Sequence, residues 1–437
     1  MRKRLDEYFE WKQSTDWATS EKEAGAQMHL KELERLWQVV ANNYYGEGFD
    51  DAAWAQHLTE VVRSSGPLRT EGDLTAAANA LLAVLRDPYS EWLPAAKFRA
   101  AVRETGPAEA RYYEATRQGP GLVLGDVSFR GGREIDQVLA ESSGEDAGLA
   151  IGDRVLRIDG VDAGALGRVE AWGRLRGPLG STVRVEVARA RRGGAEPPEV
   201  LELERRPLGQ PPLRTVALPL EGGGWVGYVR MHHFGPGTAD KVRSAIASAE
   251  NWPDPPVGFV LDLRNNPGGD FAEAVRASGV FLDCEGAGQC EVARTVGRSG
   301  NGYDNVWRVD SLPGGPRGAA TARPLVVLAN RGSASSSEIL AGALRDSGRA
   351  KILGEQTFGK GLVQYYFPVG RDGAGAKVTI AKYVLPRGHD IARRGGLRPD
   401  KWCSGHPTTA TGDGGRAQLA DECLAQAVEL VGRMRHA

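Results

Sequence analysis

The stretch that most limits how this chain can fold runs from Pro324 to Gln364. It opens on an apolar run, Pro324 to Ala329, short enough for a buried strand. The turn Asn330-Arg331-Gly332 follows, then a cluster of serines at Ser333, Ser335, Ser336 and Ser337. A helical pattern comes next, with Ile339, Leu340, Ala343 and Leu344 on one side. Strand, turn and helix in this order put a serine at a corner, beside the unpaired N–H groups that open a helix. Lys360 lies twenty-five residues beyond Ser335, held between Gly359 and Gly361. Ser335 is well placed to be a nucleophile and Lys360 to be its base. The same serine also fits a plain helix cap, because Ser335-x-x-Glu338 reads as a capping box. The rest of the chain has to decide between the two.

The chain has 437 residues, enough for two or three domains that each bury a core. Its 55 basic and 56 acidic residues leave a net charge of −1, which argues against a nucleic-acid binder. No run of 18 apolar residues occurs, so no membrane-spanning helix is expected. Met1-Arg2-Lys3-Arg4 is basic but has no apolar segment behind it, so no signal peptide is legible. The cysteines fall in two local pairs, Cys284/Cys290 and Cys403/Cys423. They fit two small disulfides in an oxidising compartment, or reduced thiols. Cys403 and His406 have ligand-like spacing, but no second ligand pair accompanies them, and no metal site or other cofactor is expected.

The first twenty-five residues are polar and read as a helix or a loose lead-in. Helical periodicity is clear at Leu30, Leu33, Trp37, Val40 and Tyr44. A second helix is expected near Trp54 to Val62 and a third near Leu74 to Leu85, stopped by Asp87-Pro88. From about Gly119 short strands and glycine turns take over, including Ala147-Gly148-Leu149-Ala150-Ile151-Gly152-Asp153 and Val155-Leu156-Arg157-Ile158-Asp159-Gly160. This order resembles a PDZ domain of the circularly permuted bacterial and plastid kind. In such a domain a glycine-rich turn before an edge strand offers N–H groups to a peptide carboxylate, and the peptide adds to the strand edge. Here that turn and strand are Gly119, Gly121 and Leu122, the expected substrate-binding residues.

From Leu208 strands alternate with helices: Trp225 to Met231, Thr238 to Ala249, Val257 to Leu263, and a helix opened by Asp270. This is the pattern of an α/β domain. Residues 281–321 read as irregular. Later strands are expected at Leu362 to Val369 and Lys377 to Leu385, and a terminal helix at Leu419 to Arg433.

Three features raise the catalytic reading of Ser335. Lys360 sits in an apolar, glycine-flanked segment, and a lysine becomes a base when burial lowers its pKa. If residues 360–364 are extended, Lys360, Leu362 and Gln364 share one face, and a neutral amide can orient the amine. The loop Asn265-Asn266-Pro267-Gly268-Gly269 ends a strand with two glycines, so backbone N–H groups can converge as an oxyanion hole requires. Exposed loop lysine, polar strand glutamine and simple helix entry are the ordinary alternatives. A Ser-His-Asp arrangement has little support, because none of the seven histidines lies in a comparable motif.

The chain resembles the C-terminal processing peptidases of the tail-specific protease family. The matching strings are Gly227-Tyr228-Val229-Arg230, Leu261 to Gly269, Gly332-Ser333-Ala334-Ser335, Gly354-Glu355, Thr357 to Gly361, and Asp87-Pro88-Tyr89-Ser90. The resemblance implies an α/β fold: a crotonase/ClpP-like protease core with an inserted PDZ domain and an N-terminal helical bundle. The expected domains are residues 1–116 helical, 117–207 PDZ, and 208–437 protease core with a C-terminal tail. It implies Ser335 as nucleophile, Lys360 as general base, Gln364 as its assistant, and the backbone N–H groups of Gly268 and Ser336 as oxyanion donors. Asp346 matches a structural aspartate. It implies protein C-terminal tails as partners, a membrane-associated substrate among them, and no nucleic acid. The segments Leu362 to Pro368 and Gly395 to Asp400 look closest to photosynthetic members, which mature a photosystem II reaction-centre precursor in the thylakoid lumen. A periplasmic tail-specific protease, an inactive PDZ scaffold and a crotonase-type acyl-CoA enzyme are the competing readings.

Overall fold

The computed structural model describes residues 21–104, 118–127, 131–139, 142–150, 152–166, 168–190, 197–207, 213–284, 290–298, 300–312, 318–404 and 421–435. Most of the lead-in expected at the start of the chain lies outside these residues. The chain divides into two units. The first comprises Met1–Gly106, Arg294–Asn305 and Leu362–Tyr383, and the second the remainder.

In the first unit, α1 (Glu21–Asn43), α2 (Asp51–Ser65) and α3 (Glu71–Ala83) precede β1 (Glu91–Leu93). The stripe Leu30, Leu33, Trp37, Val40 and Tyr44 is buried along its whole length, as its spacing predicts. Trp37 and Trp54 lock α1 to α2 by donating each indole N–H to the other's carbonyl at 3.1 Å. Asp50 caps α2, accepting from Ala52 N at 2.8 Å. Thr70 and Asp73 form a reciprocal capping box on α3, so both helix starts are written locally. The hairpin strands Leu362–Pro368 and Gly375–Val384 pair antiparallel, and β1 pairs with the second of them. The segment expected to be irregular instead contains strands at Glu291–Gly297 and Asn305–Arg308. Their mixed residues carry no clean alternation, which is why the sequence hides them.

The second unit holds two six-stranded sheets and a short pairing of Gln118–Gly119 with Arg206–Pro207. The antiparallel one contains β2 (Leu122–Val127), β3 (Arg133–Val138), β4 (Arg154–Ile158), β5 (Thr182–Ala188) and β6 (Glu199–Glu204), in that spatial order. Helices α4 (Ser143–Asp146) and α5 (Arg168–Leu175) accompany it. Val183, Val185 and Val187 alternate into its core with Leu124, Ile135, Val155 and Ile158. The other sheet is β7 (Leu213–Pro219), β8 (Trp225–Met231), β9 (Gly258–Asp262), β10 (Leu325–Ala329), β11 (Lys351–Gly354) and β12 (Lys401–Trp402), again in spatial order. Only β7 runs antiparallel to its neighbour. Every residue of β9 and β10 is buried, as parallel strands covered on both faces require. Helices α6 (Thr238–Glu250), α7 (Phe271–Phe281), α8 (Ser336–Asp346) and α9 (Glu422–Met434) belong to this sheet. Ala427, Val428 and Val431 of α9 pack on Val260, Val326 and Leu328. Disulfides join Cys403 to Cys423 and Cys284 to Cys290, which settles the alternative the sequence left open.

Candidate active site

Strands β9 and β10 are parallel neighbours, with Asp262 opposite Leu328. The loops that leave their C-terminal ends therefore open side by side, where α/β sheets place their ligands. The two loops are stitched together. Asn265 N donates to Asn330 Oδ1 and Asn330 Nδ2 donates to Asn265 Oδ1, each at 2.9 Å. Ser333 Oγ donates to Leu263 O at 2.8 Å, Ser337 Oγ to Asn266 O at 2.8 Å, and Ser336 Oγ to Gly269 O at 3.0 Å. These three serines of the cluster thus hold the loops in place.

Ser335 differs in its backbone. Its φ of 55° and ψ of −117° are those of the first central residue of a type II′ turn, a position that favours glycine. Ser337 N closes that turn on Ala334 O at 3.1 Å, and Ala334 N is fixed to Asn266 O at 3.0 Å. A serine in this region costs on the order of 1–3 kcal/mol and persists only where neighbours over-determine it. The half-exposed side chain at such a corner is presented outward, as in a nucleophile elbow.

Glu338 ties this corner to the Lys360 loop. Its buried carboxylate accepts from Ser335 N at 2.9 Å, Gly359 N at 2.8 Å and Lys360 N at 2.9 Å, and from the Thr357 hydroxyl. Burial pushes this carboxyl above its ordinary pKa, against the four hydrogen bonds that favour the charged form. Phe358 N also donates to Ser333 O at 3.0 Å. Gly359 and Gly361 are needed for packing: a Cβ on Gly359 would lie 2.8 Å from Gly395 C, and one on Gly361 would lie 2.3 Å from Ala392 N. Lys360 itself is half-buried.

The strand expected from Leu362 forms as Leu362–Pro368, and Lys360 precedes it rather than standing on it. The register shift opposite Val363 and Gln364 leaves its extra residue, Ile380, on the partner strand. Gln364 belongs to the first unit, where its Nε2 lies 3.4 Å from Thr379 Oγ1.

Gly268 lies against the serine corner. With φ at 98°, a Cβ there would sit 2.9 Å from both Ser335 Cβ and Ser336 N. Ser336 N opens α8 and has no intrahelical acceptor. The Gly268 N–H is donated to Asn266 Oδ1 at 2.9 Å, an Asx turn that the sequence reading did not anticipate.

The antiparallel sheet reaches the same loops through Glu145 of α4. Its buried carboxylate pairs with Arg230 of β8 and accepts from Asn265 Nδ2 at 2.9 Å. Gly119, Gly121 and Leu122 are all buried. A Cβ on Gly121 would meet Ser142 at 2.1 Å, and the Gly121 carbonyl accepts from Leu139 N at 2.7 Å.

Beneath the loops, buried Arg264 pairs with Asp262 and Asp421, each at 2.6 Å, and Tyr228 donates its hydroxyl to Asp262 at 2.8 Å. Burial opposes the charge of Asp262, yet Arg264, with Arg230 beyond it, holds its carboxyl below the usual range. Sequence reasoning missed Glu145, Arg230 and Asn330 as parts of the site. It noted Glu338 only as a capping residue. Adjacent asparagines at the ends of two buried strands were the one signal available for the loop pairing.

The geometry provides a strained serine at a helix start, backbone donors beside it and a lysine loop bonded to the same carboxylate, the parts acyl transfer needs. Comparisons with known proteins agree with it. The sequence profile of peptidase family S41 matches residues 225–401. The carboxyl-terminal-processing protease of Synechocystis sp. is 35% identical over 372 residues, covering 85% of this chain and 80% of that protein. The chloroplastic carboxyl-terminal-processing peptidase 2 of Arabidopsis thaliana is 30% identical, covering 83% of this chain and 67% of that protein. A solved photosystem II D1 C-terminal processing protease superposes with a TM-score of 0.67 at 26% identity, over 92% of this chain and 97% of that one. The chain therefore belongs to peptidase family S41, as a serine-type carboxyl-terminal-processing protease.

Proposed function

We propose that Ser335 is the nucleophile and Lys360 the general base of this protease. The observation that carries the assignment is the Glu338 carboxylate, which receives the backbone N–H groups of both residues and so holds their two loops in one frame. The neutral Lys360 amine takes the Ser335 proton as Oγ adds to the scissile carbonyl carbon. The resulting oxyanion accepts from Ser336 N–H and from Gly268 N–H, the latter after Asn266 Oδ1 gives way. Collapse breaks the C–N bond, and the leaving amine takes the proton from Lys360. Water, deprotonated by the same amine, then hydrolyses the acyl-enzyme. The assisting role of Gln364 rests on the family pattern alone.

Residues 117–207 are assigned as a PDZ domain, between a helical region at 1–116 and the protease core at 208–437. The spatial order of its sheet leaves β2 at an edge, which suits addition of a substrate tail beside Gly119, Gly121 and Leu122. Glu145 gives such binding a route to the oxyanion loop through Arg230 and Asn265. The names of the cyanobacterial and chloroplastic relatives, and of the solved D1 processing protease, make a photosystem II reaction-centre precursor the first substrate to test. The two disulfides favour an oxidising, extracytoplasmic compartment, the thylakoid lumen first and the periplasm second.

The test is cleavage of a D1-type C-terminal extension by wild type, Ser335→Ala and Lys360→Ala. Each substitution lowers kcat by about 10³-fold or more, since members of a catalytic unit are not additive. Cleavage by Ser335→Ala at the wild-type rate overturns the assignment. Cleavage of unrelated tails in preference to the D1-type extension leaves the chemistry standing and favours the periplasmic reading.

A further inference from the structure

One cavity of the second unit, about 680 Å³, lies outside the machinery described above. It is walled by the end of α8 and by the segment that follows strand Gly375–Val384. Its cationic residues are Arg345, Arg387, Arg393, Arg394 and Arg398. One carboxylate, Asp346, faces them. Five guanidinium charges against one carboxylate leave a formal +4, in a chain whose net charge is −1.

Asp346 is spent on Arg345, so it leaves the other four guanidinium groups without a carboxylate. Oδ1 accepts from Arg345 Nε at 3.0 Å and from a terminal Arg345 nitrogen at 2.9 Å. Oδ2 accepts from the backbone N–H of Arg387 at 3.1 Å. Among the described residues, the side chains of Arg387, Arg393, Arg394 and Arg398 have no hydrogen-bond or ion-pair partner. Asp390, in the same segment, accepts from the backbone N–H of Arg393 at 3.0 Å. His389 also lines the cavity, with Nε2 lying 3.3 Å from Gly396 O. Burial, together with the nearby Arg345 and Arg394 charges, holds its pKa below the ordinary value, so near neutral pH it adds no charge.

The backbone around the cavity is fixed rather than loose. Gly396 N donates to Ile391 O at 2.9 Å, and Gln356 Nε2 donates to Gly395 O at 2.6 Å. Leu397 N donates to Thr357 Oγ1 at 2.7 Å, and Thr357 N donates to Leu397 O at 3.0 Å. Four unpaired guanidinium groups are therefore carried on a preorganised wall, which lowers the cost of binding.

We propose that this cavity is a binding site for a multiply charged phosphate group. Guanidinium forks match phosphate oxygens two at a time and keep their charge at any physiological pH. The volume admits a diphosphate or a phospholipid headgroup and is too small for a folded domain. Free phosphates and lipid headgroups share this chemistry, so the experiment has an arm for each.

Binding of pyrophosphate is measured by calorimetry on the full chain carrying Ser335→Ala, which keeps the result independent of the catalytic assignment. In parallel, the same protein is floated with vesicles of phosphatidylcholine, alone or with phosphatidylglycerol. The comparison is the triple variant Arg387→Gln/Arg394→Gln/Arg398→Gln, whose replaced side chains are exposed and make no bond in the fold. Pyrophosphate binding that weakens at least 10-fold in the triple variant identifies a free-phosphate site. Flotation only with phosphatidylglycerol vesicles, lost in the triple variant, identifies a headgroup site. Binding of neither probe overturns the proposal, as does binding that the triple variant leaves unchanged. An unaltered circular dichroism melt of the triple variant without ligand separates loss of binding from loss of fold.

Discussion

At the scale of the residue, Glu338 explains most about the site. Four donors converge on one carboxylate, and two of them are the backbone N–H groups of Ser335 and Lys360. In Glu338→Gln one acceptor oxygen becomes an NH₂ group that faces donors, so at least two of these bonds are lost or repelled. The serine corner and the lysine loop then drift relative to each other. A displacement of about 1 Å between reacting groups costs roughly 10²-fold in rate, so kcat should fall by about that factor while KM changes little. Steady-state kinetics on the variant check this; an unchanged kcat would mean that the frame is redundant. The sequence shows Glu338 as the partner in a capping box, and that part is correct. Its second attachment, to Gly359 and Lys360, joins residues more than twenty positions apart and leaves no local trace.

At the scale of the element, the strands carry their own signatures and their junctions do not. Val257 to Leu263 reads as a buried strand that runs into the Arg264 loop, and β9 is that strand. The sequence does not reveal that Arg264 turns back under the loop to pair with Asp262 and with Asp421, the cap of α9. This one guanidinium pins a terminal helix to the strand that carries the oxyanion loop. Arg264→Leu would leave two carboxylates buried without their cation, which destabilises by about 3–5 kcal/mol when one partner of a buried pair is removed. Urea denaturation monitored by tryptophan fluorescence measures the loss; a change below about 1 kcal/mol would show that the pair breaks even against an apolar side chain. The strand Leu362–Pro368 forms where its apolar and aromatic residues predict it. The sequence does not reveal the bulge in its partner, where Ile380 is the extra residue, because a bulge shifts register without changing composition.

At the scale of the whole molecule, sensitivity to acid has an identifiable contributor. His232 follows β8 in the buried interior, and neither of its ring nitrogens has a hydrogen-bond partner. Burial, then the charge of Arg230, moves its pKa from 6.5 down to about 3. The folded protein therefore keeps this imidazole neutral while the unfolded chain protonates it below its ordinary pKa. Unfolding takes up a proton in that window, so stability is full above about pH 6.5 and falls as the pH drops toward 3. The limiting slope is about 1.4 kcal/mol per pH unit. Denaturation at pH 7 and pH 4.5 should show a smaller acid loss in His232→Phe than in wild type. Equal losses in the two proteins would assign the acid sensitivity elsewhere.

By itself the sequence determined the periodic helices, the fully apolar strands β9 and β10, the glycine turns and the positions of Ser335, Lys360 and Gly268. Each of these is written within a few residues, by side-chain spacing and by turn chemistry. The tertiary structure alone decided which groups meet. Asn265 finds Asn330 because β9 and β10 are neighbours, and Glu145 finds Asn265 across 120 residues of chain. It also decided that the Gly268 N–H is engaged by Asn266 and that four arginines around Asp346 find no partner among the described residues. Hydrogen bonds and ion pairs form between whatever the packing brings within about 3 Å, and sequence separation carries no information about that distance.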